Sequence, residues 1–420
     1  MIKRNRIFVV VFAAVGIMYA KAQDFPQWRG LNRDGVVKTT GVNLNWTEKK
    51  PTLLWTFRQA GAGYASPTIA GNTLYCQGGA EGNDFAFALD AQTGKLKWKQ
   101  ILGEQFKEER GNGAHGAVTI DGDKLYLIRC GGQIHCLAAA DGKLIWQKDF
   151  KKDYNGKIMS GWGYSESPLV DGNLVICTPG GKEGTIIALN KNTGDLVWRT
   201  TELTDDAGYS SPIVADVDGI RQYIQQSAKG VSGIAKDGKV LWKVEIDDYR
   251  TAVIPTPVYN DHTVYVTNGY NSHCTSIRLT KDGNGFKTEI VYENKDLANH
   301  HGGVVLVNGY VYGFAERPVA SWVCQNFKSG ETVWKQKIPE VSKGAVLCVD
   351  DRLLLLDEKT GLLTVAAASP DGWKEFGRME MLERSKMESK DNMVWTHPVV
   401  ANCKLYLRDH DLLFCFDIKK

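Results

Sequence analysis

The sequence predicts an all-β protein, an eight-bladed β-propeller made of four-stranded blades. Three observations carry this prediction: one turn motif recurs along the chain, it recurs every 42 to 52 residues, and each period holds several short apolar runs separated by turn residues. A repeat of this length with several strands per unit is typical of propeller blades.

The recurring motif is a β-hairpin, and residues 88–98 show it most clearly. Residues 90–94 carry turn chemistry, because an Asp side chain bonds the following backbone and a Gly adopts positive φ. Leu96 and Trp98 then restart an alternating apolar pattern. The aromatic residues that close successive copies are Trp55, Trp98, Trp146, Trp198, Trp242, Tyr292, Trp334 and Phe376.

The order of strands within a unit follows from the first copy. Residues 65–69 form an apolar run, Gly71 and Asn72 make a turn, residues 74–76 return, and residues 85–89 lead into the hairpin. That order gives four antiparallel strands. Eight short turns, most of them built from Asp, Asn or Gly, recur at the place of Gly71, and we therefore expect eight blades.

The eighth unit lacks a closing aromatic after its last apolar run, residues 413–417. Residues 52–56 contain such an aromatic, Trp55, but have no inner strands before them. We expect this N-terminal strand to complete the last blade, which removes an open sheet edge. The predicted organisation is a signal peptide at 1–22, an N-terminal segment at 23–51 and a single propeller at 52–420.

The first 22 residues have the pattern of an export signal. Three basic residues within the first six positions precede an uncharged, mostly apolar run at 7–20, and residues 20–22 read Ala-Lys-Ala. We expect cleavage after Ala22. The run is shorter than the roughly 18 apolar residues that a spanning helix needs, so no transmembrane segment should remain. No cysteine precedes Cys76, so a lipobox is absent and we expect a periplasmic or secreted protein.

The net charge argues against one class of binding partner. The formal net charge is +3, and four positive charges lie in the first 22 residues, which leaves −1 for the rest. Nucleic acid is therefore not expected as a partner, since phosphate binding needs a basic excess.

The nine cysteines lie mostly in apolar runs and are expected to be buried thiols. A disulfide between Cys130 and Cys136 is the alternative.

The two faces of the predicted ring differ. The short turns and hairpins share one face, the short-turn face. The connections between blades share the other, the loop-rich face, with long loops at 99–115, 147–165, 199–209, 243–254 and 377–395. Binding residues accumulate in loops that exceed what turn geometry requires, so we expect the recognition surface there.

Residues just before each innermost strand should surround the central axis on the loop-rich face. Flat aromatic rings suit sugars or planar ligands, and imidazoles suit acid–base or metal chemistry. The candidates for ligand contact are Tyr64, Trp162, Glu166, Arg250, Trp395 and His397. The candidates for catalysis are His115, Tyr164, Tyr209, His300 and His301, and the candidates for a metal are His115, His300, His301 and His397.

Structural alternatives accompany these candidates. Tyr64 and Tyr209 can instead plug the wide channel of an eight-bladed ring. No fixed-spacing motif accompanies the histidines, so a divalent metal stays an open alternative and no other cofactor is expected. Charged residues in the turns between second and third strands, including Glu358, are expected to be solvated. Residues 380–390 are expected to form a lid or solvated surface.

The hairpin motif at 90–98, its copies, and residues 24–35 (Asp-Phe-Pro-Gln-Trp-Arg-Gly-Leu-Asn-Arg-Asp-Gly) resemble the PQQ-like (pyrroloquinoline quinone) β-propeller proteins of bacteria. That family includes quinoprotein alcohol dehydrogenases and the propeller subunit of the outer-membrane protein assembly machine. The resemblance covers the whole mature chain and implies the propeller fold. It is nearest to the assembly-type propeller, which matches in length and blade count.

The resemblance to the dehydrogenases implies a site that this sequence does not match. Those enzymes use adjacent cysteines, a calcium ion held by Glu and Asn, and an Asp base, whereas no two cysteines here are adjacent. PQQ with calcium is therefore not expected, and a PQQ-dependent dehydrogenase is the least favoured function. The leading hypothesis is an exported binding or scaffold module that binds a protein or glycan on the loop-rich face. The alternative is a lyase-type enzyme acting on glycans, with His and Tyr at the axis and possible help from a metal.

Overall fold

The computed structural model describes residues 24–420 apart from 248, 250, 271, 318, 340 and 388. The predicted signal peptide at 1–22 and the candidate Arg250 lie outside the described residues. Within them, the chain forms strands throughout and one short helix, α1 (Phe150–Tyr154), which Asp149 caps by accepting from the N–H groups of Lys151 and Lys152. No helix in this part of the chain is long and apolar enough to cross a membrane.

Two strands precede the first blade, and sixteen strands form blades 1 to 4. The two are β1 (Val36–Val37) and β2 (Thr52–Phe57). Blades 1 and 2 are β3 (Thr68–Ala70), β4 (Thr73–Ala80), β5 (Asn83–Asp90), β6 (Leu96–Glu104), β7 (Thr119–Asp121), β8 (Lys124–Ile128), β9 (Gln133–Ala138) and β10 (Leu144–Asp149). Blades 3 and 4 are β11 (Leu169–Asp171), β12 (Leu174–Cys177), β13 (Ile187–Asn190), β14 (Leu196–Arg199), β15 (Ile213–Val217), β16 (Ile220–Ser227), β17 (Gly230–Ala235) and β18 (Val240–Glu245).

The remaining strands form blades 5 to 8. Blades 5 and 6 are β19 (Val258–Asn260), β20 (Thr263–Thr267), β21 (Cys274–Asp282), β22 (Gly285–Asn294), β23 (Val304–Val307), β24 (Tyr310–Ala315), β25 (Ser321–Asn326) and β26 (Thr332–Gln336). Blades 7 and 8 contain β27 (Gly344–Val349), β28 (Arg352–Asp357), β29 (Leu363–Ala367), β30 (Glu375–Met379), β31 (Val399–Ala401), β32 (Lys404–Asp409) and β33 (Leu412–Asp417).

Strand β2 completes blade 8, as the sequence predicts. It pairs antiparallel with β33, from Thr52 opposite Asp417 to Phe57 opposite Leu413. The sheet order is β2, β33, β32 and β31, so the N-terminal strand is the outermost of the last blade. The prediction of an eight-bladed propeller closed by the strand around Trp55 is confirmed.

The anchor aromatics join neighbouring blades. The indole N–H of Trp146 donates to the carbonyl of Lys191 in the next hairpin at 2.9 Å, and that of Trp98 donates to Ala139 at 3.1 Å. Gly194 lies under the Trp146 ring, where an added Cβ would approach ring carbons to 2.7 Å. Only glycine fits there, because the position also has φ of 75°.

The apolar core lies between adjacent blades. One cluster joins Ala86 and Ala88 of blade 1 to Leu125 and Leu137 of blade 2, and equivalent clusters fill other blade interfaces. All nine cysteines are free and eight of them are buried. The alternative of a Cys130–Cys136 disulfide is therefore wrong, and both thiols serve as small core side chains.

The N-terminal segment fills the channel of the ring. Strand β1 pairs parallel with β27, the innermost strand of blade 7, and so makes that sheet five-stranded. Phe25 forms a bridge to Ile69 of blade 1. Arg33 donates to the carbonyls of Ser167 at 2.7 Å and Pro168 at 3.1 Å. The segment therefore contacts several blades from inside the ring.

Candidate functional site

A cavity of about 410 Å³ opens on the loop-rich face at the axis of the ring. Its wall takes at least one residue from the region just before the innermost strand of every blade. In blade order these residues are Tyr64, His115, Ser165, Tyr209, Ile254, His301, Lys343 and Trp395. The cavity is therefore a product of the closed ring and belongs to no single blade.

Trp28 of the N-terminal segment forms the floor of the cavity. Its indole N–H donates to Thr256 Oγ1 at 2.9 Å, and its ring meets His397 edge-on with centroids 4.6 Å apart. The neighbouring Arg29 donates to the backbone carbonyls of Val304 and Asp34, which fixes the segment in the channel. The segment thus forms the part of the cavity lining that lies inside the ring.

Half of the wall is a continuous arc of aromatic and imidazole rings. From His115 the arc runs through Tyr64, Trp395, His301 and His300 to Tyr270. Successive ring centroids are 5.5, 4.8, 5.9, 5.1 and 4.6 Å apart. Trp162 and Tyr209, 6.1 Å apart, line the wall at blades 3 and 4. Most of the surface offered to a ligand is therefore π-face and ring edge.

His115 is a neutral imidazole of defined tautomer. Its Nε2 lies 3.1 Å from the carbonyl of Gly111, which can only accept, so Nε2 carries the proton. Its Nδ1 then accepts from the Ser165 hydroxyl at 3.1 Å. Burial lowers the pKa of His115 to about 4, which keeps the ring uncharged at neutral pH.

His300 lies in a charged cluster with Lys343 and Glu316. Lys343 Nζ donates to His300 Nδ1 at 2.6 Å and to Glu316 Oε1 at 2.8 Å. Burial, together with the neighbouring His301 and Lys343, lowers the pKa of His300 well below its usual value. The ammonium of Lys343 is thus neutralised by Glu316, and His300 acts as its second acceptor.

His301 and Trp395 share one carboxylate oxygen. Glu358 Oε2 accepts from His301 Nε2 at 2.6 Å and from the Trp395 indole N–H at 2.7 Å. His397 lies beneath, where its Nε2 donates to the carbonyl of His301 at 3.3 Å. Burial and the nearby Arg29 lower the pKa of His397 well below its usual value, so this ring is uncharged too.

The hydroxyl groups of the two predicted axial tyrosines are engaged within the protein. Tyr64 donates to the carbonyl of Arg110 at 2.6 Å, and the hydroxyl of Tyr209 contacts that of Ser160. Burial raises the pKa of both, that of Tyr209 to about 12. Both residues line the cavity, and neither offers it a hydroxyl without a partner.

Two predicted site residues lie outside the cavity lining. The ring of Tyr164 packs edge-on against Phe150 with centroids 5.3 Å apart, and its hydroxyl donates to the carbonyl of Pro179 at 2.8 Å. Glu166 is buried and accepts from the N–H of Thr178 at 2.9 Å. The other described candidates, Tyr64, His115, Trp162, Tyr209, His300, His301, Trp395 and His397, all line it.

Several lining residues were not among the predicted candidates, and Trp28, Tyr270 and Glu358 are three of them. The expectation that Glu358 is solvated is wrong, because the residue is 3% exposed. A sequence signal did exist, since residues 357–361 repeat the Asp-x-x-Thr-Gly turn of residues 90–94. That copy lies between second and third strands, so its turn faces the cavity and not the short-turn face.

Two loops meet beside the mouth of the cavity. Lys390 pairs with Glu109 at 2.7 Å, and Arg110 pairs with Asp391 at 3.4 Å. The backbone N–H of Lys390 also donates to the carbonyl of Glu109 at 3.0 Å. The segment predicted as a lid or solvated surface therefore borders the opening and is tied to the loop after blade 1.

The cavity lining can be matched against the side chains that a metal or PQQ with calcium would need. Among them, no group of three or more His, Cys, Asp or Glu side chains is placed to hold a metal ion. His300 and His301 instead face Lys343 and Glu358. No Cys or Asn from the described chain lines the cavity, so the residues present do not fit the quinone and its calcium. A divalent metal remains only a prediction.

A closed ring of eight four-stranded blades with a cavity at its axis defines the class of protein, an eight-bladed β-propeller. The family model described as outer membrane protein assembly factor BamB matches residues 86–336, more than half of the chain. The chain therefore belongs to this family, and the prediction of an assembly-type propeller is confirmed.

Individual relatives are distant. The chain is 22% identical to the outer membrane protein assembly factor BamB of Moranella endobia over 366 residues, covering 82% of this chain and 77% of that protein. The structure of BamB from Moraxella catarrhalis superposes with a TM-score of 0.60 at 16% identity, over 87% of this chain and 97% of that one. The structure of quinohemoprotein alcohol dehydrogenase from Comamonas testosteroni superposes with a TM-score of 0.63 at 11% identity, over 94% of this chain and 80% of that one. These two structural likenesses show the fold alone.

Proposed function

We propose that this protein is a binding or scaffold module of the bacterial cell envelope whose recognition site is the axial cavity with the loops around it. One observation carries the proposal: all eight blades contribute to a single pocket that the N-terminal segment closes from below. A fold that needed only rigidity would not require such a pocket. The family, whose description names an outer-membrane assembly factor, supports a protein as the partner.

The chemistry of the wall supports binding over catalysis. The polar ends of Tyr64, Trp395 and Trp28 already bond to protein groups, so their ring faces are what a ligand meets. A projecting side chain or the ring of a small molecule fits such a wall better than a sugar, because a sugar presents many hydroxyls that need free polar partners.

The alternative of a glycan lyase receives no support from this geometry. Such a reaction needs a base beside the proton to be removed and a donor at the developing enolate. The hydroxyls of Tyr64 and Tyr209 are both occupied, and Tyr164 lies outside the cavity. Of the predicted catalytic set, only the imidazoles would remain to carry the chemistry.

Site-specific photocrosslinking in the producing bacterium tests the proposal. A photoreactive phenylalanine analogue at Met393, which lines the cavity mouth, should give a defined adduct. The same analogue at Gln92, exposed on a hairpin of the short-turn face, is the matched control and should give none. Adducts that form at Gln92 as readily as at Met393, or at Gln92 alone, would overturn the proposal.

A further inference from the structure

The Glu358 carboxylate is nearly enclosed yet only half satisfied. Its side chain is 4% exposed, and it lines the axial cavity. Oε2 accepts from His301 and Trp395, whereas Oε1 accepts from no group among the described residues and is not one of the fully enclosed atoms. Because Glu358 lines the cavity, this oxygen is reached from the cavity. Oε1 is therefore available to a ligand in the cavity.

Among the described residues, no Lys or Arg pairs with Glu358. Within the described chain, its only charged or chargeable partner at ion-pair distance is His301. The other ring nitrogen of His301, Nδ1, is buried without an acceptor. His301 therefore offers Glu358 one hydrogen bond, from Nε2.

The other charged residues of the cavity do not offset the negative charge of Glu358. Lys343 is bound to Glu316 and His300, and Arg110 is paired with Asp391. The charged lining residues are three carboxylates and two cations, Glu108, Glu358, Asp391, Arg110 and Lys343. The lining thus carries an excess of negative charge, which the low dielectric of the pocket strengthens.

Three aromatic residues line the cavity together with Glu358: Trp28, Tyr64 and Trp395. Trp395 donates its N–H to Glu358 and lies 4.8 Å from Tyr64 by ring centroids, and Trp28 forms the floor below. The negative face of an aromatic ring attracts an organic cation, most strongly for Trp. A cavity lined by aromatic rings and a carboxylate is suited to an ammonium group.

We propose that the axial cavity binds an organic cation, an ammonium or guanidinium group, which pairs with Glu358 Oε1 inside an aromatic cage of Trp28, Tyr64 and Trp395. This inference rests on the proposed function and names its ligand chemistry. The same group occurs on a basic side chain of a partner protein and on a small quaternary amine. Both would place positive charge where the pocket lacks it and apolar carbon against the rings.

Calorimetric titration of the purified protein tests the inference. The probes are choline, N-acetyl-lysine amide and N-acetyl-arginine amide, and the control is the neutral isostere of choline in which carbon replaces the ammonium nitrogen. At least one cation should bind about tenfold or more tightly than the isostere. Preference for choline would indicate a small amine, and preference for the amino-acid amides a partner side chain. If no cation binds more tightly than the isostere, the inference is overturned.

Variants assign the effect to Glu358 and the cage. Glu358→Gln should weaken cation binding about tenfold or more, because it removes the charge at nearly constant shape. Glu289→Gln makes the same change on the outer strand of blade 5, where Glu289 is exposed, and should leave binding unchanged. Should Glu358→Gln fold poorly, Tyr64→Leu should lose binding while Tyr64→Phe retains it. Failure of every cation together with a persistent Met393 adduct would refute this inference and leave the proposed function standing.

Discussion

Glu166 shows how a single buried group links the N-terminal segment to the ring. Its carboxyl is fully buried, accepts from Thr178 N–H through one oxygen and leaves the other without a partner. Burial raises its pKa to about 8, and the nearby Arg33 of the N-terminal segment opposes that rise. The folded protein therefore holds a proton on Glu166 at neutral pH that the unfolded chain releases.

The stability of the protein should fall as pH rises through the pKa of Glu166. A raised carboxyl pKa means that the folded state binds more protons than the unfolded state, so its contribution is full at low pH and is lost above about 8. The free energy of unfolding should drop by about 1 kcal/mol from this group between pH ~7 and ~9.

Chemical denaturation of the wild type and Glu166→Gln across that interval measures the effect. The window avoids the buried histidines, whose lowered pKa values place their titration below it. The variant should lose the downward slope. Parallel pH profiles for the two proteins would show that Glu166 does not titrate there.

The position of Glu166 and Tyr164 was the part of the site that sequence reasoning misplaced. Both follow Trp162, which lines the cavity, and proximity in sequence suggested a shared destination. Gly163 has φ of 79°, so the chain reverses locally and Tyr164 turns inward, where its N–H donates to the carbonyl of Cys130. Such a reversal depends on tertiary packing and leaves no periodic pattern to detect.

At the scale of elements, the hairpin with its closing aromatic is the unit that sequence reasoning predicts best. Its signals are local, since the Asp and Gly of the turn and the aromatic of the next strand lie within nine residues. The pairing of β1 with β27 could not be predicted in this way, because its partners are far apart in sequence. It joins Val36 to Cys348, and β1 is only two residues long. No local pattern marks so short a strand, and the N-terminal segment was therefore not recognised as the floor of the cavity.

Removing one anchor should cost far more stability than removing its exposed neighbour. Trp146→Ala deletes a buried indole and its hydrogen bond to the next blade, so we expect a loss of about 3 kcal/mol or more. Ile145→Ala changes the adjacent residue, which is 43% exposed, and should cost less than about 1 kcal/mol. Urea denaturation of both variants provides the comparison. Similar small losses would contradict docking of the blades through the anchors.

At the scale of the whole molecule, closure of the ring depends on a strand from the other end of the chain. Trp55 of β2 packs with Tyr406 of blade 8 at 6.1 Å by ring centroids and covers Gly94 of blade 1. It therefore contributes to the interface of the first and last blades, as Trp146 does at an internal interface. The sequence predicts this closure, because the last blade lacks its outer strand and the strand around Trp55 has no inner strands before it.

Trp55→Ala should destabilise the protein by about as much as Trp146→Ala, about 3 kcal/mol, despite its place near the N-terminus. The matched control is Leu54→Ala, because Leu54 lies on the same strand and is 44% exposed. Urea denaturation should show a single transition shifted to lower urea for Trp55→Ala and nearly unchanged for Leu54→Ala. An unchanged midpoint for Trp55→Ala would indicate that the ring is stable without its closing contact.

The central claim is that the axial cavity is where this protein recognises its partner, and filling the cavity tests it most directly. Ile254→Trp places an indole in the lining of the cavity, whereas Val197→Trp adds the same indole on the outer strand of blade 3, where Val197 is 52% exposed. The photocrosslinked adduct at Met393 should disappear with Ile254→Trp and persist with Val197→Trp. An adduct that survives the filled cavity at full yield would contradict the claim.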